Sequence, residues 1–323
     1  MTRPLVSFCL KAYNQRTTIG AALDGAFAQT YRPLELVICD DGSTDGTWEL
    51  IRSCVRGVSQ RDDFRIVLHR NASNLGNAKN WEMCGKVAHG ELLVKADGDD
   101  ISLPERTERV VQAWLRGEKR ACVISHAVRT LPSDRLVAGH SARRPLGAGM
   151  AWSRECFDEG WPEIGEDCRR TYDDVIYAFR GLLRGTELVL PDALVRYRLG
   201  SGETSVIGET RRPYRRSQEA LLAALPQKGR DLDAALANGW IGLARHQEEV
   251  TRLKIEAVQC RAFLDLFSET TGFGTRLKAF LAVRPTFNIR GQLVFALYLL
   301  PPRLADRLQR GVSELKSWLK GGT

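Results

Sequence analysis

No stretch of this sequence approaches the roughly 18 to 20 consecutive apolar residues that cross a bilayer, so an integral membrane protein is not expected. The chain opens Met1-Thr2-Arg3-Pro4 directly onto a strand-like segment, so no secretory leader is expected either. Its eight cysteines are scattered without a Cys-x-x-Cys pair, and Cys9 and Cys39 fall inside apolar strand patterns. That usage suits buried, reduced thiols in a cytoplasmic protein better than a disulfide framework or a zinc site. Histidine is scarce, and His69, His126 and His140 have no metal-ligand spacing, which makes them structural residues. There is no G-x-x-x-x-G-K-[ST] phosphate loop and no G-x-G-x-x-G fingerprint, which argues against an ATPase or a dinucleotide enzyme. Internal repeats and low-complexity segments are also lacking.

What is present is the composition of a globular protein, 43% hydrophobic and 27% charged over 323 residues. The net charge of +8 is not evenly spread. Residues 1–205 hold 28 basic and 28 acidic side chains, whereas residues 206–323 hold 19 basic and 11 acidic ones. A basic excess confined to the C-terminal third points to an anionic partner for that part, membrane lipid or nucleic acid.

Apolar runs at Leu5–Leu10, Leu34–Cys39, Phe64–Leu68 and Glu91–Ala96 read as strands. Helical spacing follows each of the first three: Ile19, Ala22, Leu23, Ala26 and Phe27 behind Thr17 or Thr18 as cap, then Trp48, Ile51 and Val55, then Ala78–Ala88. A further helix opens at Pro104 and carries Val110, Val111 and Trp114. Such alternation predicts an α/β domain with a parallel sheet covered on both faces. Ala121–Thr130 reads as another strand, 131–149 as a hairpin or loop, and 152–165 as an irregular segment anchored by Trp152 and Trp161. A helix from Asp173-Asp174 to Arg184 and short strands at Glu187–Leu190 and Ala193–Tyr197 close this region. Beyond Ser205 only helical periodicity remains, at Leu221–Leu225, Leu232–Ala244, Val250–Phe267 and Leu304–Leu319. A boundary is therefore expected near residue 206, giving domains 1–205 and 206–323.

Two strand ends carry carboxylates, Asp40-Asp41 after the second strand and Asp97-Gly98-Asp99-Asp100 after the fourth. In a parallel sheet both ends point the same way and can line one crevice at the carboxyl edge. Like charges this close suit a bound cation, and a divalent ion held there can bridge a nucleotide diphosphate. The plainer alternative is an acidic turn: Asp40 and Asp45 as turn and cap residues, Asp100 as the cap of the next helix.

The order of short motifs resembles glycosyltransferase family 2. They run from Val6-Ser7-Phe8 and Ala12-Tyr13-Asn14 through Gln29-Thr30-Tyr31 and Glu35-Leu36-Val37-Ile38 to Asp40-Asp41-Gly42-Ser43-Thr44-Asp45-Gly46-Thr47. Asn74-Leu75-Gly76, Asn80 and Gly90-Glu91 continue into Asp97-Gly98-Asp99-Asp100, which resembles the family's D-x-D element. Asp173-Asp174 with Arg180 resembles its acceptor-side E-D…R motif, and Tyr197-Arg198 its closing Tyr-Arg, so the likeness covers roughly residues 4–205. The resemblance implies a GT-A fold, a Rossmann-like and mostly parallel sheet with helices on both faces, followed here by an α-helical C-terminal region. It implies inverting sugar transfer from a nucleotide-sugar, most often a UDP-sugar, to a hydroxyl of a glycan or lipid-linked acceptor, as in surface polysaccharide synthesis.

In that family pattern Ala12, Tyr13, Asn14, Asp40, Asp41, Lys79, Asp97 and Gly98 line the donor. Tyr13 stacks on the base, Asp41 or Asp40 accepts a hydrogen bond from it, and Asp97 contacts the ribose or the sugar. Asp99 holds Mg²⁺ or Mn²⁺, and Asp174, with Asp173 as the alternative, is the general base; one of the pair also caps its helix. Plainer roles stand beside these: Tyr13 as surface packing, Lys79 as a solvated helix lysine. Two departures matter. Leu199-Gly200-Ser201 stands where relatives often carry a metal-binding His, so Glu203 or water would complete the metal shell. Lys11 stands where a small residue or Pro is usual, and would pair with a phosphate or shield the site.

Residues 270–323 hold nine basic and two acidic side chains, with Leu304, Leu308, Val312, Leu315 and Leu319 on one helix face. This suits an amphipathic helix on an anionic membrane surface, or a helix packed on its own domain or a second copy in a homo-oligomer. The protein is expected in the cytoplasm or peripherally at the inner face of the membrane, with no nucleic acid partner. Two rival functions share the crevice logic: a sugar-nucleotide nucleotidyltransferase, which would need a basic, Gly-rich phosphate loop, and a catalytically silent nucleotide-sugar-binding scaffold.

Overall fold

The computed structural model describes residues 3–59, 61–138, 141–143, 145–157, 159–199, 211–268 and 270–283, with 296, 299, 300 and 308. Glu203, His140 and, apart from Leu308, the helix expected over Leu304–Leu319 lie outside the described residues.

The alternation read from the sequence is realised in β1 (Val6–Ala12), α1 (Ile19–Phe27), β2 (Leu34–Asp40), α2 (Thr47–Arg56), β3 (Phe64–Arg70), α3 (Asn77–Val87) and β4 (Leu92–Asp97). These four strands pair in parallel in the order β3-β2-β1-β4. Then come β5 (Ile101–Ser102), α4 (Arg106–Arg116), β6 (Ala121–Leu131), β7 (Leu136–Val137), β8 (Met150–Ser153), α5 (Asp173–Arg184) and β9 (Thr186–Arg198). They extend one nine-stranded sheet through β8, β6, β9 and β5, with β7 pairing β6.

Side chains alternate across a strand, and this decides which residues meet. The even-numbered residues of β1, β2 and β4, such as Phe8, Leu36 and Val94, face α1, α2 and α4 and pack with Ile19, Leu23, Ile51, Val110 and Trp114. The odd-numbered residues face the other way, toward α3 and α5. There Trp81, Trp152, Phe157 and Tyr177 form an aromatic cluster with ring centroids 4.7–6.5 Å apart. Helices thus cover both faces, and Lys11, Lys95 and Asp97 all belong to the α3/α5 side.

Three expectations change. The strand β8 replaces irregular chain and runs antiparallel between β4 and β6; four residues buried on both faces are too short to show a period. The two short strands near Pro191 are one, because the β6 ladder steps from His126↔Leu190 to Ala127↔Ala193 and leaves Pro191 and Asp192 in a bulge. A bulge is where a residue without an N–H is tolerated in a sheet. The helices expected at 221–225 and 232–244 are one, α6 (Arg211–Ala237), which ends at left-handed Gly239 before α7 (Leu243–Phe267) and α8 (Phe273–Val283).

The chain divides into two compact units, Met1–Gly202 with Pro226–His246, and Glu203–Leu225 with Gln247–Thr323. Within the first, Asp231 of α6 receives Arg180 Nε and Nη2 at 2.9 Å each, and Arg180 also donates to the Pro162 carbonyl. Within the second, Ala262, Leu266 and Phe267 pack on Ala279 and Val283.

Candidate active site

At the carboxyl edge of the parallel strands two lysines and two aspartates interlock. The register sets Lys11 of β1 beside Asp97 of β4, with Lys95 on the same face. Lys11 Nζ lies 2.7 Å from Asp173 Oδ2 and 3.3 Å from Asp97 Oδ1, and it also donates to Asn77 Oδ1. Lys95 Nζ lies 2.8 Å from Asp97 Oδ2 and 3.4 Å from Asp173 Oδ2. Both lysines and Asp173 are buried, and buried charges persist only when paired. Burial pulls the Lys95 pKa down, but Asp173, Asp97 and Asp174 outweigh it and hold the ammonium above its ordinary value. Burial pushes Asp97 up, but Lys11 and Lys95 outweigh it and keep the carboxyl well below the usual range. Lys11 therefore binds carboxylates of its own chain, an arrangement not among those considered for it from sequence.

Asp173 and Asp174 begin α5, but neither caps it: Tyr172 is the N-cap residue and no side chain closes the helix end. Asp173 Oδ1 instead accepts the Asp174 N–H at 2.8 Å. Asp174 Oδ2 accepts the Gly147 N–H at 2.8 Å, while its Oδ1 is shut off from solvent and has no hydrogen-bond partner among the described residues. Burial and the Asp173 charge push the Asp174 pKa to about 6, against Lys95, the Gly147 N–H and Lys11, which pull it down. One carboxylate oxygen is held by the Gly147 N–H, and the other is left unbonded among the described residues.

The loop after β4 is shaped from several directions. The Gly98 N–H bonds the Lys11 carbonyl and its carbonyl accepts Thr18 Oγ1. The N–H of Arg198, in the Tyr-Arg pair at the end of β9, donates to Asp100 Oδ1 at 2.8 Å, and its Nε donates to the Asp99 carbonyl. Burial, then Asp99 and Asp97, raise the Asp100 pKa well above its ordinary value. Asp100 ties the loop to β9 and does not cap α4, whose N-cap residue is Glu105. Asp99 is part-buried at the tip of the loop. Among the described residues no three His, Cys, Asp or Glu side chains gather as a metal cage. Mg²⁺ is commonly held by one or two carboxylates with substrate phosphates, and a single hard oxygen donor such as Asp99 fits that mode.

The other expected donor residues lie around the neighbouring strand ends. Tyr13 is 37% exposed, and Asn14 follows it with φ 49°, its Oδ1 accepting the Thr44 N–H. The Ala12 carbonyl accepts the Asp41 N–H. Asp40 is buried and bonds the Ser43 N–H and hydroxyl. Asp41 accepts the N–H groups of Leu75 and Gly76 and the Asn71 amide, at 2.8–3.0 Å, so its oxygens hold the 71–76 loop. Lys79 Nζ donates to the Ile164 carbonyl at 2.9 Å and lies 3.5 Å from Glu82. Arg180 bonds Asp231 and Pro162, as described above. Trp152 and Trp161 are buried, as expected for anchoring residues, and Trp161 Nε1 donates to the Glu155 carbonyl.

Lys95, Asn77 and Gly147 were not picked out from sequence. Lys95 carried a signal, since a charge inside the apolar run of β4 at the position that shares a face with Asp97 needs a partner. Asn77 and Gly147 carried none, because their roles depend on a neighbouring β-strand lysine and a helix brought close only by folding.

A mostly parallel sheet with helices on both faces and carboxylates grouped at its strand ends is the GT-A fold, and solved structures agree. The chain aligns over 96% of its length with 92% of Staphylococcus aureus TarS 1–349 in complex with UDP-GlcNAc, TM-score 0.52 at 14% identity. It aligns over 96% of its length with 85% of the mannosyltransferase PcManGT of Pyrobaculum calidifontis in complex with GDP-Man and Mn²⁺, TM-score 0.56 at 19% identity. Residues 7–160 match the model of glycosyl transferase family 2. The Escherichia coli UDP-Glc:alpha-D-GlcNAc-diphosphoundecaprenol beta-1,3-glucosyltransferase WfaP is 38% identical over 96 residues, 30% of this chain and 36% of that protein. The chain spans less than half the length of the curated relatives it matches. Among the described residues no helix is long and apolar enough to cross a membrane.

Proposed function

We propose that the protein is an inverting glycosyltransferase that moves a sugar from a nucleotide-sugar, in our reading a UDP-sugar, to a hydroxyl of a glycan or lipid-linked acceptor. The observation that carries this is Asp174 Oδ1, buried, unpartnered among the described residues and on a carboxyl whose pKa is raised to about 6. At neutral pH such a group is mostly ionised yet close enough in pKa to take a proton efficiently. In the displacement the acceptor oxygen bonds to the anomeric carbon as the bond to the diphosphate oxygen breaks. The acceptor's proton passes to Asp174 Oδ1. Asp173 and Asp97, neutralised by Lys11 and Lys95, flank the donor sugar, and Tyr13 offers its exposed ring to the base. Asp99 would hold Mg²⁺ or Mn²⁺, which when bound supplies positive charge for the leaving diphosphate.

The donor class is supported by the family match and by the WfaP relative named for UDP-Glc, and the lipid-linked acceptor by the diphosphoundecaprenol in that name. The basic residues 270–323 support an anionic membrane surface as the place where such an acceptor is met. Flotation of the full chain with anionic vesicles at low salt tests this, and no binding would count against it.

The main test is nucleotide release from UDP-, GDP- and TDP-sugars with Mn²⁺. Wild type should turn over one class, and Asp174→Ala should lose about 10²- to 10⁴-fold. Equal turnover by wild type and variant would refute the base assignment.

A further inference from the structure

Arg106 opens α4 and is 1% exposed. Its Nε donates to His126 Nε2 at 2.9 Å, one terminal nitrogen to Ser102 Oγ at 2.8 Å, and the other to the Ala148 carbonyl at 2.9 Å and the Met150 carbonyl at 3.4 Å. These are neutral acceptors, so among the described residues the cation is buried without a carboxylate bonded to it. Burial lowers its pKa to about 10, with Asp100 and Asp97 opposing from a distance. Burying a guanidinium this way is costly, and a well-packed apolar side chain would stabilise the fold as well. The fork does something an apolar residue cannot, because it fixes two carbonyls, a hydroxyl and a ring in one geometry.

The first of those carbonyls lies within the short helical turn Gly147–Gly149, and the second belongs to Met150, the first residue of β8. The turn is wedged on both sides. A Cβ at Gly147 would strike Lys95 Nζ, and one at Gly149 would strike the His126 carbonyl. Its first N–H is the donor to Asp174 Oδ2. His126 completes the brace: Nδ1 donates to the Ala127 carbonyl at 2.8 Å, so Nε2 must be the unprotonated nitrogen that receives Arg106. Ser102, the hydroxyl under the fork, ends β5, the short strand that follows the loop carrying Asp99. One buried side chain therefore touches both the segment after the D-x-D loop and the turn that holds the base.

We propose that Arg106 is a positioning residue for the Asp174 site: it braces the Gly147–Gly149 turn against His126 and Ser102, keeping the Gly147 N–H on Asp174 Oδ2 and turning Oδ1 toward the substrate. The catalytic part of this rests on the reading of Asp174 as base; the geometric part does not. The charges facing Asp174 are Asp173 on its own helix, Lys95 and Asp97 from β4, and Lys11 from β1, and the turn contributes only its N–H. Loosening the turn removes one of the groups that favour the ionised carboxylate and leaves the others in place.

The test uses Arg106→Lys, which keeps a cation and loses the fork, with His126→Leu as a second variant should the first fold poorly. Arg109→Ala, an exposed α4 residue paired with Asp192, is the control. The Asp174 midpoint is read by carbon NMR on aspartate-labelled protein, and the acid limb of the pH–rate profile is read separately. A lost hydrogen bond to a charged group should raise the midpoint by about one in pH. The acid limb should follow it, giving about a tenfold loss at pH 5 and a smaller loss at pH 8, with the donor KM changed less than kcat. An Asp174 midpoint that stays at its wild-type value in either folded variant would overturn the proposal. A midpoint that rises while wild type transfers no sugar would uphold the brace and overturn the base assignment instead.

Discussion

Lys11 Nζ, on the first strand, sits 2.7 Å from Asp173 Oδ2, on the helix that carries the candidate base. Lys95 approaches the same oxygen from β4 at 3.4 Å, and both lysines also reach Asp97. The charges balance only as a set, two cations against two anions, so no member can be removed alone without leaving a buried charge exposed to the low dielectric of the interior.

Lys95→Met should therefore destabilise the protein by about 3–5 kcal/mol at pH 7. The sign of its pH dependence follows from Asp97, whose pKa is depressed in the folded state. Such a group stabilises above its ordinary value of 3.8 and loses that contribution as the pH falls through its folded value. The deficit of the variant should be full at pH 7 and shrink below pH 4. Urea unfolding at the two ends of that range measures it; a deficit of equal size at both would show that packing, not charge, is what the lysine provides.

Asp174→Asn should do the opposite. A carboxyl raised from 3.8 to about 6 contributes stability below pH 3.8 and loses it as the pH rises through 6. Asparagine keeps an oxygen for the Gly147 N–H and removes the charge. We expect a gain of up to about 3 kcal/mol at pH 7, none at pH 4, and a loss of sugar transfer. Melting curves at both pH values, run beside a nucleotide-release assay, would expose the assignment as wrong if the variant were less stable at pH 7.

Transfer should require added Mg²⁺ or Mn²⁺, and Asp99→Asn should raise the concentration needed or abolish the response. Metal-stripped protein assayed in EDTA is the check. Full turnover there would remove the metal role assigned to Asp99.

Asp231→Ala strands Arg180, which is 2% exposed, beside the Pro162 carbonyl and two aromatic rings. A cost of about 3–5 kcal/mol is expected, seen as a lowered Tm. A chain ending at residue 205 lacks Asp231 altogether, and we propose that it melts below the full chain for the same reason. An unchanged Tm for the substituted protein would mean that the 226–246 segment adds little to the first unit.

Much of the fold was legible in the sequence because strands buried on both faces read as apolar runs, and the helices between them keep their own period. The carboxylates at the ends of β2 and β4 were legible for the same reason, since a parallel sheet brings its strand ends to one edge. What each carboxylate touches was not. Asp41 stands in a run that resembles the donor motif of glycosyltransferase family 2, and its oxygens receive the backbone N–H groups of Leu75 and Gly76. Arg180 stands in a run that resembles an acceptor-side motif, and it bonds Asp231 of α6. The antiparallel β8 was hidden because four buried residues show no period, and with it went the Gly147 turn.

The sequence by itself determined which residues of β1 and β4 share a face, because alternation along a strand is local geometry that no later contact can change. Lys11, Lys95 and Asp97 had to lie together once those strands paired in register. Only the tertiary structure decided that Asp173 closes the charge set and that Gly147, not a helix cap, holds Asp174. Those contacts join segments far apart in the chain, and they form because a buried charge or an unpaired N–H costs more than ordering the loop that satisfies it.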